Sequence, residues 1–191
     1  MSFDERKATY FKETGAQNTD ILLKLVKEYV ESQNINDIVV ASTTGETGAK
    51  ASRTLKGHNI IVFTHSYGFK EPGKNELQES FKKEIEADGA HIFTGTHDLS
   101  SAERAIRKDF GTIQPLELIA NVLRLMGEGT KVCAEITLMA ADAGLIPMDR
   151  DIVAVAGTGG GADTALRIEP AHAAQFFNLR IREVIAKPNS F

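Results

Sequence analysis

Tryptophan is absent from this 191-residue chain, and cysteine occurs once, at Cys133. A lone cysteine excludes an internal disulfide and is most simply a small core residue. His91 and His97, far from that cysteine, lack metal-ligand spacing, so no metal site is expected. No apolar run approaches the ~20 residues of a membrane span. The opening Met1-Ser2-Phe3-Asp4-Glu5-Arg6 has no apolar signal core, which makes the cytoplasm the expected location. Lys and Arg number 22 against 26 Asp and Glu, a net charge of −4. With no basic cluster interleaved with aromatics, nucleic acid is not an expected partner, and neither is a membrane. There is no G-x-S-x-G elbow and no nucleophile–base pair that chain order alone can assign. Internal repeats, low-complexity segments and linkers are also missing.

What is present is ordinary for one globular unit: 42% hydrophobic and 25% charged residues, enough for a core without staples. A single domain over 1–191 is expected, with an irregular arm at 1–17 that holds a short strand at Thr9-Tyr10-Phe11. Asn18, Thr19 and Asp20 open a helix carrying Ile21, Leu22, Leu25, Val26, Tyr29 and Val30 at helical spacing. Further helices are predicted over 47–56, 75–87, from a capping box at Ser100-Ser101-Ala102-Glu103, behind Pro115, and over 131–143 after Gly127 and Gly129 break the chain. The segments 37–42, 60–64, 90–94 and 151–156 are continuous apolar runs, the mark of parallel strands buried on both faces. Alternation at Thr164, Leu166 and Ile168 predicts one or two closing strands. Strands alternating with helices define a three-layer α/β/α sandwich on a mostly parallel sheet.

Two strand-to-glycine turns carry the candidate chemistry. The first runs from Ile38-Val39-Val40-Ala41 into Ser42, Thr43, Thr44, Gly45, Glu46, Thr47 and Gly48. Hydroxyls and free amides at the positive end of a helix dipole suit a phosphate monoester. The plainer reading is a Thr43/Glu46 capping box, and Glu46 places a carboxylate where a phosphate would sit. The second turn is Gly157, Thr158, Gly159, Gly160, Gly161, Ala162 and Asp163 after the 151–156 strand. It imitates G-x-G-x-x-A, but Pro170 and strand-like alternation follow, so dinucleotide binding is rejected. Consecutive glycines suit close approach to a flat or charged ligand.

In open α/β sheets ligands sit beyond the carboxyl ends of strands where strand order reverses. If the 37–42 and 151–156 strands are neighbours, both turns meet there. His65, Tyr67 and Phe69, in a long loop after 60–64, form a wall. Gly95, Thr96, His97 and Asp98, after the 90–94 strand, are expected to supply polar contacts from further away. Glu135 is a carboxylate in an otherwise apolar helix; it is expected to face water or a neighbouring subunit.

The strand–Ser42-Thr43-Thr44-Gly45-Glu46-Thr47-Gly48–helix unit resembles the phosphate loop of the carboxy-terminal domain of pyruvate kinase, where a Ser/Thr-Gly loop holds a phosphate of a sugar bisphosphate effector. Together with His65-Ser66-Tyr67-Gly68-Phe69 and Gly157-Thr158-Gly159-Gly160-Gly161-Ala162-Asp163-Thr164, nearly the whole chain is similar to a family of small stand-alone archaeal and bacterial proteins with that fold. The resemblance implies a five-stranded sheet with its last strand antiparallel, and bound FMN with its phosphate near the first loop. It does not imply pyruvate kinase activity, because that enzyme's catalytic residues lie on a barrel domain that this sequence does not contain. The expected function is FMN binding, with oxidoreductase activity if the protein is an enzyme. The alternative is a non-catalytic sensor of another phosphorylated metabolite or nucleotide. A small phosphorylated ligand is the expected partner, and a homo-oligomer is left open.

Overall fold

The computed structural model describes residues 3–100 and 102–191. In chain order the strands are β1 (Thr9–Phe11), β2 (Asp37–Ala41), β3 (Asn59–Thr64), β4 (His91–Thr94), β5 (Ile152–Ala156), β6 (Thr164–Glu169) and β7 (Arg180–Pro188). The helices are α1 (Thr19–Gln33), α2 (Glu46–Thr54), α3 (Glu79–Ala87), α4 (Glu103–Phe110), α5 (Pro115–Arg124) and α6 (Glu128–Asp142). The strands make one seven-stranded mixed sheet in the order β1-β7-β6-β5-β2-β3-β4.

That sheet corrects the expectation of five strands with the last antiparallel. The antiparallel strand is β6, which pairs antiparallel with both β5 and β7. β7 then runs parallel to β1, which joins the arm to the sheet edge. The β6–β7 ladder carries register shifts at Ala165/Leu166 and Arg167/Ile168, irregularities that bend a strand and interrupt the simple alternation by which strands are read.

Alternate residues of the central strands feed two cores. Ile38, Val40, Val153 and Val155 pack with Leu22, Leu23 and Val26 of α1 and with Ile85 of α3. Val39, Ile61, Ile152 and Ala154 face Cys133, Ile136 and Met139 of α6. Each fully buried Leu, Ile or Val contributes about 1.5–3 kcal/mol. A third cluster joins Ala120 of α5 to Leu138 of α6 and Leu99. Helix α1 ends because Asn34 turns into the left-handed region (φ 54°), its amide bonded to the Val30 carbonyl; Asn tolerates that conformation where most residues do not.

β4 lies at the sheet edge and is half-buried rather than covered on both faces. Helix α3 starts at Glu79, not Asn75, because the Asn75 carboxamide accepts the Leu77 amide and turns the chain there. Part of the expected 100–103 capping box falls on Ser101, outside the described residues. Glu103 does not reach back to cap α4: its carboxylate accepts the Leu116 amide (2.8 Å), one of the orphan donors of α5. Pro115 is at the first turn of α5. Gly129 does not break the chain but lies inside α6, where a methyl group would strike Thr164 of β6.

Candidate functional site

β2 and β5 are parallel neighbours, with Ile38, Val39 and Val40 opposite Val153, Ala154 and Val155. From β2 the chain moves to β3 and β4 on one side; from β5 it moves to β6 and β7 on the other. The loops after β2 and β5 therefore part at a switch point, the place where such sheets open a crevice. A cleft of about 780 Å³ lies there, with Ser42, Thr43, Thr44 and Thr47 on one wall and Gly157 and Gly159–Gly161 on another.

The first loop is held by its own groups. The Ser42 amide donates to the Phe63 carbonyl (2.8 Å), and its hydroxyl accepts the Gly48 amide (2.9 Å). Gly45 takes φ 95° against Phe81 and Leu77, and Gly48 is buried against Val62. The expected Thr43/Glu46 capping box does not form. Glu46, exposed, turns along α2 toward Lys50 (3.7 Å). The amides of Thr43 and Thr44 bond to no described residue, and those opening α2 have no intrahelical acceptor. A set of unspent donors thus stands at the positive end of α2.

The second loop is closed on itself. Asp163, fully buried, accepts the Gly15 amide (2.9 Å), the Thr158 amide (3.2 Å) and the Thr164 hydroxyl (2.8 Å). Asp163 and Thr158 stand behind the loop and do not line the cleft; the Thr158 hydroxyl is buried without a partner. Gly161 (φ 67°) lies so close to Ala16 and Thr19 that a methyl group would collide with both.

A third wall comes from the loop after β3. His65 bridges Thr43 Oγ1 (3.3 Å) and Glu76 Oε1 (3.1 Å) and stacks on Phe69 at 3.9 Å. Burial lowers the His65 pKa, outweighing the upward pull of Glu76. Tyr67 is 70% exposed and outside the cleft; Phe69 lines it instead. Gly95, packed under the Phe93 ring, and exposed Thr96 are not in the lining, whereas His97 is.

Glu135 does not face water. It is 2% exposed at the cleft floor, with Lys131 Nζ 2.5 Å away, the Leu99 amide at 3.1 Å and His97 Nδ1 at 3.6 Å. Burial would raise its pKa, but His97 and Lys131 bring it below the usual carboxylate value. Lys131 and Arg104 were not singled out in the sequence. The signal for the first was its four-residue spacing from Glu135 in an apolar helix; no local pattern marks Arg104. Cys133 donates to the Ala154 carbonyl, and burial pushes its thiol pKa well up, as suits an inert core residue. Among the described residues no three His, Cys, Asp or Glu side chains cluster as metal ligands, and no helix is long and apolar enough to cross a membrane.

Residues 20–167 match the model of the pyruvate kinase alpha/beta domain, and the chain belongs to that family. It is also 30% identical over 104 residues to the molybdenum-pterin-binding protein MopB of Rhodobacter capsulatus, which covers 54% of this chain and 37% of MopB. Among solved structures, a pyruvate kinase from Cryptosporidium parvum aligns over 80% of this chain and 23% of its own, with a TM-score of 0.44 and 17% identity. A Cryptosporidium parvum pyruvate kinase in complex with ADP aligns over 89% and 24%, with a TM-score of 0.40 and 17% identity. The chain thus spans little more than a third of the curated relative and about a quarter of the solved enzymes.

Proposed function

We propose that the cleft binds FMN, with the phosphate on the loop after β2 and the ring system against the glycine loop after β5, and that any catalysis here is that of a flavin-dependent oxidoreductase. The observation that carries this reading is the meeting, in one cleft, of unspent amides at the start of α2 and a glycine wall with no side chains. The volume suits a ligand of that size. Glu46 also lines the cleft, and Lys50, 3.7 Å from its carboxylate, offsets that negative charge. His65 fixes Thr43, and Phe69 packs behind it on the same wall.

Bound FMN would supply the redox chemistry, while the protein binds, orients and excludes water. Thr43, Thr44 and Thr47 would take phosphate oxygens through hydroxyls and amides. The test is chemical: denaturing purified protein should release FMN, identified by absorption and mass. A colourless preparation that takes up no added FMN overturns the reading.

A second reading is a non-catalytic sensor of another phosphorylated metabolite. Its support is the character of the first loop, where hydroxyls and amides recognise a phosphate but not what the phosphate is attached to. A ligand panel in which sugar phosphates or nucleotides raise the melting temperature and flavins do not would select it.

A further inference from the structure

The floor of the cleft holds a pair of ions that phosphate binding does not use. Lys131 is 6% exposed and Glu135 2% exposed, both on α6. Burying such a pair is costly, so its presence calls for a reason beyond stability. Both oxygens of Glu135 are engaged: one takes the Lys131 ammonium and the other the Leu99 amide. The ammonium is not spent. It has three protons to donate, and among the described residues Glu135 is its one acceptor.

Arg104, exposed, lines the same cleft. Its guanidinium lies 4.3 Å over the Phe69 ring, Phe69 stacks with His97 at 5.3 Å, and His97 reaches Glu135 at 3.6 Å. The other cationic side chains of the lining are paired with carboxylates: Lys70 with Glu76, Arg107 with Glu117 and Arg124 with Glu128. Among the described residues Arg104 has no carboxylate within ion-pair distance. The Glu103 carboxylate, also in the lining, is engaged by the Leu116 amide. Val132, Ile136 and Met139 of α6 add an apolar surface beside Lys131.

We infer that Lys131 anchors a second subsite in the cleft, which takes the carboxylate of a small molecule with a short apolar body, with Arg104 a more exposed cation of the same lining. Glu135 is a positioning residue: it fixes the Lys131 ammonium at the floor. That this molecule is the substrate of a flavin enzyme rests on the proposed function; the subsite itself does not.

The probes are isovalerate and its uncharged amide, isovaleramide, titrated into the protein with and without added FMN and read by thermal shift and calorimetry. Isovalerate should bind and raise the melting temperature, and the amide should bind on the order of tenfold more weakly. The paired K131M/E135Q change, which leaves no orphaned charge, should abolish the preference, and Arg104→Gln, on an exposed helix face, should weaken it. Equal binding of acid and amide, no binding of either, or variants that behave as the parent would overturn the subsite. If FMN fails to bind while isovalerate discriminates, the flavin reading falls and the subsite stands. The reverse result removes the subsite and leaves the flavin reading intact.

Discussion

The two glycine turns look alike in sequence: each follows a buried strand and mixes glycine with threonine. In the structure they do opposite things with their donors. The loop after β2 uses one hydroxyl, that of Ser42, to hold its own helix, and leaves the Thr43 and Thr44 amides unspent at the cleft. The loop after β5 folds around Asp163, which takes two amides and a hydroxyl. The first leaves donors facing the cleft; the second carries its anion inside. An internal carboxylate and an open set of amides are alternative answers to the same physical demand, that buried donors find an acceptor.

Removing the internal anion should have the largest effect. Asp163→Ala strands the Gly15 and Thr158 amides and the Thr164 hydroxyl, and a loss of about 3 kcal/mol is expected in urea unfolding. A loss within about 0.5 kcal/mol, the range of a surface change, would erase the distinction between the loops. Next comes an anion placed on the open loop. Thr44 is exposed, so Thr44→Asp should alter stability by less than about 0.5 kcal/mol. Its carboxylate should nonetheless weaken FMN binding by about tenfold or more, measured by flavin fluorescence quenching. An unchanged affinity would place the phosphate elsewhere.

The smallest effect concerns His65, which ties Thr43 to Glu76. Burial holds its pKa below the usual value, so the folded state favours the neutral ring. The associated stability is whole above the unfolded pKa of about 6.5 and is lost as the pH falls toward the folded value. Subtracting the pH–stability curve of His65→Gln from that of the parent should isolate this loss on the acid side. A flat difference between pH 7 and 5 would mean that the ring titrates as it does in the unfolded chain.

Much of the fold was legible because it rests on local pattern. The apolar runs at 37–42 and 151–156 predicted strands, and Pro115 predicted a helix start; all three appear. Gly129 misled because a helix-interior glycine costs only about 1 kcal/mol, and the approach of Thr164 leaves no room there for a side chain. Glu135 misled for a related reason. A carboxylate in an apolar helix is expected to avoid burial, but Lys131, His97 and the Leu99 amide compensate it, and two of these come from a distant loop. Tyr67 and Phe69 had equal claims as wall residues, and the turn of one loop put Phe69 in the cleft and Tyr67 in solvent.

The sequence by itself determined which segments would be strands and helices, and which turns would be rich in hydroxyls and glycine. These follow from side-chain periodicity and backbone freedom, which act over a few residues. Tertiary structure alone decided that β2 and β5 lie side by side, that β6 reverses the sheet, and that Asp163 is consumed by its own loop and by Gly15 while the Thr43 and Thr44 amides stay open. The physical reason is that hydrogen-bond satisfaction is settled between groups distant in the chain: the Gly15 amide finds its acceptor 148 residues away.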